Sequence, residues 1–485
     1  MSLANDYPGA EFDSITRGLL LPEDYENPSP KPRYHVAVIG AGPAGLITSI
    51  AAAGLGANVA LIERHRMGGD CLNVGCVPSK CLLEFSKHNP GDFDGAFEHL
   101  RKVISEIAPH DSVERYSNEG VDVFLGEAGF SEGGELVVDG KTINARKTVI
   151  CTGARADIPP IPGLADAAPL TNETVFDLKE KPGSLGILGA GAIGCELALA
   201  FTRMGVEVHL FELAPRVLPL EPEFASDALA ESLISAGVTL HLGQGVSNVT
   251  TNGSEEATIT AGDSQVQVNK IMVALGRRPN TESLNLGVVG VGVDERGFIS
   301  TDAKLRTANK KIYAAGDCTA QLQFTHHADA QARAVVQNTL FAPTAKVDTL
   351  VVPHCTYTTP EVASVGQLPD ELNAKGLAFD EVSFEFAELD RGRTEIDGGG
   401  RAVVYLAAGS DKILGACIVG HDAGEQIATI CLLMSNKMGL SAVGSTLFSY
   451  PTRSEFLKRL SDAYNRTRLT PRAASLLARW FKFTA

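Results

Sequence analysis

RYHVAVIGAGPAG, residues 33–45, joins an apolar, β-rich run to a glycine-rich turn. The same pattern returns in SLGILGAGAIG, residues 184–194, and the first glycines, Gly40 and Gly189, lie 149 positions apart (189 − 40). Each turn opens an Ala/Leu-rich helical stretch, AGLITSIAAAGLG in one case and GCELALAFTRMG in the other. Each is then followed by a second strand ending in an acid, ANVALIE at Glu63 and VEVHLFE at Glu212. A lone G-x-G-x-x-G is a weak signal. Here the strand before, the helix after and the acid about 20 residues on are all present, twice. Gly40, Gly42 and Gly45, and again Gly189, Gly191 and Gly194, let backbone approach a pyrophosphate at a helix N-terminus, while the acid accepts from a ribose. Two dinucleotides are expected to bind.

The chain has 485 residues, too many for one core, and two to four domains are expected. With 44% hydrophobic residues, 21% charged residues and 49 glycines, it reads as an α/β protein with many tight turns. A formal charge of −16 disfavours nucleic acid and anionic membranes as partners, so the expected partner is a small molecule. The lead-in LLLPEDYENPSPKPRY has no basic segment followed by an apolar one, and no run of about 18 uncharged apolar residues occurs. A cytoplasmic location is expected. Nine cysteines, an odd number, argue against a disulfide framework.

Residues 130–150 and 246–275 read as short antiparallel strands with returns to each sheet, and KIYAAGDC (311–318) ends a strand at Gly316-Asp317. After Pro353, AVVYLAAGSDKILGACIVG reads as a hairpin and Glu425 to Met438 as a helix, an α+β texture without a glycine fingerprint. The final TPRAASLLARWFKFTA forms an amphipathic helix, with Ala473, Leu476, Leu477 and Trp480 on one side and Arg472 and Arg479 on the other. Docking against the body or a second subunit is the expected role. Membrane-surface binding is the less favoured one.

In MGGDCLNVGCVPSKC (67–81), Cys71 and Cys76 are five positions apart. On a regular helix that is about 140° and roughly 7.5 Å of rise, too far to bridge, so pairing requires a break through Asn73-Val74-Gly75. The 71/76/81 spacing fits neither a zinc knuckle nor a ferredoxin, and no metal site is expected. A redox-active pair beside a flavin is favoured over structural thiols. Cys81, Cys151, Cys195, Cys318, Cys355, Cys417 and Cys431 have no partner at useful spacing and are read as spectators.

GGDCLNVGCVPSK, with VALGRRPN (273–280), IYAAGDC (312–318) and TYTTPEVASVG (356–366) in the same order, resembles the class I pyridine nucleotide-disulfide oxidoreductases from about residue 33 to 460. The resemblance implies two Rossmann-like dinucleotide-binding domains, for FAD and NAD(P), and a C-terminal α+β dimerisation domain. The implied boundaries are an extension (1–33), an FAD domain (34–155 and 276–350), an NAD(P) domain (156–275), an interface domain (351–469) and the terminal helix (470–485). Gly40, Gly42, Gly45, Glu63, Gly69, Thr152, Gly153, Gly316 and Asp317 would hold FAD, with Phe324, Thr325 and His326 beneath its ring. Gly189, Gly191, Gly194, Glu212 and Gly276 would hold the nicotinamide dinucleotide. The acid at Glu212 favours NADH over NADPH, although Arg216 lies nearby. Lys80 and Glu196 resemble the ion pair beside the reactive flavin nitrogen. Cys76 would face the flavin, and Cys71, in a cationic helix-start setting that lowers a thiol's pKa, would attack the substrate.

Within the family, the stretch resembling YPTRSE begins with a histidine that exchanges protons with the partner subunit's thiols. Here Tyr450 stands in its place while Glu455 keeps the acid's position. Tyrosine is a poor base at neutral pH, which disfavours dihydrolipoamide as substrate. The Tyr-x-Thr-x-x-Glu pattern resembles mercuric reductase, although the C-terminal cysteine pair of that enzyme is not present, the last cysteine being Cys431. The expectation is a homodimer with a shared active site, passing electrons from NAD(P)H to a small oxidant: a soft metal ion, a disulfide or a quinone. The alternatives are a dihydrolipoyl dehydrogenase or other disulfide reductase, a flavin-based quinone reductase, and a nucleotide-binding sensor with little turnover.

Overall fold

The computed structural model describes residues 7–251 and 256–484. They form two compact units: residues 7–189, 197–211, 245–251 and 256–349, and residues 190–196, 212–244 and 350–484. The main elements of the first unit are α1 (Ala10–Leu20), β1 (Tyr34–Ile39), α2 (Pro43–Gly54), β2 (Val59–Glu63), α3 (Gly69–Asn73), α4 (Cys76–His88), α5 (Phe93–Ile107), β3 (Val121–Leu125) and β4 (Ala145–Ile150). They continue with β5 (Ser184–Leu188), α6 (Ala192–Arg203), β6 (Glu207–Glu212), β7 (Lys270–Val273), β8 (Ile312–Ala314) and α7 (Thr325–Leu340), α6 and β6 each running across the unit boundary.

A five-stranded parallel sheet, ordered β8-β4-β1-β2-β3, is the frame. Its central strands are covered on both faces, which is why YHVAVI and VALIE are almost unbroken apolar runs; only His35 in them is exposed. Pro43 begins α2 where a missing N–H costs nothing, and Gly56, at φ 84°, closes the turn after it. In the same unit β6, β5 and β7 run parallel, beside an antiparallel meander at 246–251, 257–261 and 264–268. Of the stretches expected to be antiparallel strands with returns, 130–150 and 246–275, antiparallel pairing covers 128–142 and 246–268, and β4 and β7 are the returns to the parallel sheets.

The N-terminal extension is built into the first unit. Tyr25 Oη donates to the Val123 carbonyl at 2.9 Å, and Asn27 exchanges two hydrogen bonds with the backbone of Leu125, at 2.8 and 2.7 Å. These side chains occupy polar groups along the exposed edge of β3. The fully buried Leu20 closes α1. The side chain of Arg101, only 3% exposed, donates to the carbonyls of Pro8 (2.6 Å) and Leu178 (3.0 Å) and lies 3.4 Å from Asp13.

The second unit contains an antiparallel sheet of β9 (Pro353–Thr356), β10 (Glu361–Gly366), β11 (Phe379–Glu385), β12 (Gly400–Ala407) and β13 (Ile413–Gly420), ordered β9-β10-β13-β12-β11. The hairpin expected at 402–420 is β12–β13. Helices α8 (Ala423–Ser435) and α9 (Glu455–Thr467) bury Ile427, Ile430, Phe456 and Leu460 in one core with Val404 and Ile418. The last helix, α10 (Pro471–Thr484), buries none of its residues, so the expected docking against the body is not seen. Arg101→Ala is expected to lower stability by about 2 kcal/mol, because it removes a buried side chain that donates to the Pro8 and Leu178 carbonyls and lies beside Asp13. Urea unfolding measures this, and a loss under about 1 kcal/mol would mean that the extension is not held by this residue.

Candidate active site

The carboxyl ends of β1, β4 and β8 open onto a cavity of about 570 Å³. Gly40 has φ 102°, and a Cβ there would run into the Cys151 carbonyl; a Cβ at Gly45 would occupy the Gly40 carbonyl. The buried Glu63 carboxylate accepts from Ala41 N at 2.7 Å and His65 N at 2.8 Å, fixing the loop from below. No side chain caps Gly42 at the start of α2, so the first-turn N–H groups remain available beside Gly42, Pro43 and Ala44, which line the cavity. Gly69, Thr152, Gly153, Gly316, Asp317 and Thr325 line it too. The Thr152 hydroxyl is buried beside the Cys318 thiol with no oxygen or nitrogen partner among the described residues, a partner that a bound dinucleotide would supply. Burial raises the Asp317 carboxyl above its ordinary range, an effect opposed by Arg277. These residues fit FAD.

The redox candidates sit on the same loop system. Gly68 N donates to the Ala41 carbonyl at 2.9 Å, and a Cβ at Gly69 (φ 58°) would meet the Gly42 Cα. The helix breaks at Val74-Gly75, as a Cys71–Cys76 pairing requires, leaving Cys71 in α3 and Cys76 as the first residue of α4. A Cβ at Gly75 would press on the Asp70 carbonyl at 2.9 Å. Cys71 is half-buried and lines the cavity, whereas Cys76 is exposed, 3.4 Å from Thr325 Oγ1. The Cys71 thiol is pushed up, first by its hydrogen bond to Cys76 and then by burial. That reverses the expected lowering: next to a second sulfur, the protonated form is the one being stabilised. Lys80, one turn after Cys76, donates to Ser79 Oγ at 3.3 Å. Of the seven other cysteines, Cys81, Cys151, Cys195, Cys318 and Cys417 are buried, while Cys355 and Cys431 are half-buried.

The second glycine loop repeats the first. Gly189 has φ 105°, and a Cβ there would lie 2.5 Å from the Ala274 carbonyl. Glu212 accepts from Ala190 N at 2.8 Å and Ala214 N at 2.9 Å, the counterparts of Ala41 and His65. Around Gly191 a Cβ would meet nothing within 4 Å, which leaves the approach open, and Gly194 lies in the first turn of α6. Gly276, at φ 134°, accepts from Asp157 N at 3.0 Å. Arg216 is engaged within its own unit by the carbonyls of Pro219 (3.0 Å) and Glu221 (3.3 Å) and by Asp370 (3.0 Å). Glu196 is buried and accepts from Tyr357 N at 2.9 Å. It belongs to the second unit and Lys80 to the first.

Tyr450 is 70% exposed, and its hydroxyl donates to Asp390 at 2.5 Å, which raises its pKa. Glu455 starts α9 and accepts from Arg459 at 2.6 Å. Phe324 and His326 stack with ring centres 5.5 Å apart at the start of α7.

Three contributors escape a local reading of the sequence. Arg277 pairs with Asp70, donates to the Ala154 carbonyl and lies 3.7 Å from Asp317, joining the cysteine loop to the acid at the strand end. Its only sequence signal is its place in VALGRRPN, directly after Gly276. Gln331 holds Gly316 N at 2.6 Å, and Arg17 reaches the cavity from α1.

Residues 34–332 match the family described as pyridine nucleotide-disulphide oxidoreductase, and residues 352–461 match its dimerisation domain. The chain belongs to this family. It is 31% identical to mercuric reductase of Staphylococcus aureus, over 88% of this chain and 81% of that one. Identity to dihydrolipoyl dehydrogenase of Chlamydia muridarum is also 31%, over 87% and 95% of the two chains. Among solved structures, a Cu(II) complex of the HOCl-induced flavoprotein disulfide reductase RclA of Escherichia coli superposes with a TM-score of 0.82 at 29% identity, covering 89% and 99%. The protein is therefore an NAD(P)H-dependent flavoprotein oxidoreductase using FAD, and its dimerisation domain supports a homodimer. Arg277→Ala is expected to weaken FAD binding by about tenfold to a hundredfold, the usual effect of deleting charge-assisted hydrogen bonds. Flavin fluorescence titration reads it, and an unchanged Kd would remove Arg277 from the cofactor site.

Proposed function

We propose that this enzyme transfers electrons from NADH through FAD and the Cys71–Cys76 pair to a small oxidant that two sulfurs can ligate, a soft metal ion foremost. The observation carrying this reading is Tyr450. Its hydroxyl, bonded to Asp390 and raised above the ordinary phenol value, stays protonated through neutral pH. It donates a hydrogen bond and takes no proton. A dithiol substrate needs a base to remove its protons, whereas a soft cation displaces thiol protons as it binds.

Bound FAD supplies the two-electron step between the nicotinamide and the disulfide. The chain's own residues do the rest. Glu63 and the bare first turn of α2 hold one dinucleotide; Glu212 holds the other, and the engagement of Arg216 within its unit favours NADH over a 2′-phosphate. Lys80, one turn after Cys76, would be the cation beside the flavin. Cys76, 3.4 Å from the cavity-lining Thr325, would face the flavin, and Cys71 would meet the oxidant. For Hg(II) the balance is two electrons from NADH reducing one ion to the metal, with NAD⁺ and a proton released. The exposed Tyr450 is presented to the partner subunit's thiol pair, so the dimer shares its active sites. The division into an FAD domain (34–155 and 276–350), an NAD domain (156–275) and an interface domain (351–469) is part of this reading. Two relatives support a metal oxidant, one named mercuric reductase and one solved as a Cu(II) complex.

A panel of Hg(II), Cu(II), lipoamide, glutathione disulfide and quinones, with NADH and NADPH, tests the reading. The expected result is the highest kcat/KM for a soft metal ion with NADH. Tyr450→His is expected to raise dihydrolipoamide oxidation by about 10²-fold, with a new pH dependence near the imidazole pKa. A wild type that turns over dihydrolipoamide fastest, unaffected by the substitution, would contradict the proposal.

A further inference from the structure

On α10, at 100° per residue, Pro471, Arg472, Ser475, Arg479 and Lys482 fall within an arc of about 100°. Ala473, Leu476, Leu477, Trp480, Phe481 and Phe483 take the opposite side. That apolar side is bare: Leu476 is 65% exposed, Trp480 60%, Phe481 62% and Phe483 86%. No acid occurs between Asp462 and the end of the helix, while Arg466, Arg468, Arg472, Arg479 and Lys482 all do, on a chain of net charge −16.

We propose that α10 is an interfacial anchor that lies on an anionic lipid surface. A wide Leu/Trp/Phe face beside a purely cationic one suits the plane of a bilayer, where the rings enter the headgroup boundary and the cations meet lipid phosphates. At 14 residues the helix is about 21 Å long, too short to span, and no described helix is long and apolar enough to cross a membrane. A second copy of the helix would cover the apolar face but supplies no acid to the cationic one. The match to the family's dimerisation domain ends at residue 461, so α10 lies outside the segment that the family assigns to dimerisation. The attraction between the cationic tail and an anionic surface is screened by ions, so binding weakens as salt rises. This places at a membrane a chain whose overall charge suggested none.

Trp480 is the sole tryptophan and reports on α10 alone. The test adds vesicles to the full-length, FAD-loaded protein, either pure phosphatidylcholine or phosphatidylcholine with phosphatidylglycerol, and follows tryptophan emission and co-sedimentation. A blue shift and sedimentation with the anionic vesicles only, both reversed by salt, are expected. The triple variant Arg472→Glu, Arg479→Glu, Lys482→Glu should weaken partitioning by about a hundredfold or more, at roughly fivefold per cation near the surface. Its FAD content and NADH oxidation should be unchanged, because these side chains are exposed and outside the active site. Three results would overturn the proposal: no shift with anionic vesicles, equal shifts with both kinds, or a shift that follows protein concentration without lipid, as self-association would give.

Discussion

The backbone contact between two glycine turns governs the first unit. Gly69 lies so close to Gly42 that a Cβ on it would strike the Gly42 Cα, and the Gly68–Ala41 hydrogen bond fixes the register of the two loops. Gly40 and Gly45 crowd the same point from the strand side, against Cys151 and against each other. The sulfur pair is thereby set at the mouth of the pyrophosphate cradle. Side chains then refine the placement: Glu63 ties the loop from below, and Arg277 ties Asp70 to Asp317 across it.

The second loop uses the same carboxylate device. Glu63 and Glu212 each accept from the residue after the first glycine and from the second residue beyond themselves. A bidentate acceptor under a glycine turn neutralises two backbone donors, which fixes the turn before any ligand arrives. The chain thus holds two preformed cradles. What separates them is function, with the cysteines carried beside the first alone.

Much of this was legible because it is local. Glycines needing a left-handed backbone, an acid about 20 residues on and a helix break at Gly75 all show in short stretches of sequence. What escaped was long-range. Arg101 gathers Pro8, Asp13 and Leu178 from distant segments, and Arg17 reaches the cavity from an extension that reads as a polar lead-in. Tyr450 finds Asp390 sixty residues away, and spacing alone pointed to Glu455, which Arg459 engages instead. The rise in the Cys71 pKa follows from the second sulfur beside it, which a helix-start argument leaves out. The amphipathic pattern of α10 was plain, but its exposure depends on tertiary structure and not on the helix itself.

Anaerobic titration of the FAD-loaded protein with NADH, counting thiols with a chromogenic reagent under denaturing conditions, bears most directly on the sulfur pair as the electron conduit. The account predicts two additional thiols per chain after one equivalent of NADH, with a long-wavelength absorbance band that Cys76→Ser abolishes while FAD stays bound. Flavin bleaching with no new thiols would contradict it, for the electrons would then leave from the flavin without passing through Cys71 and Cys76.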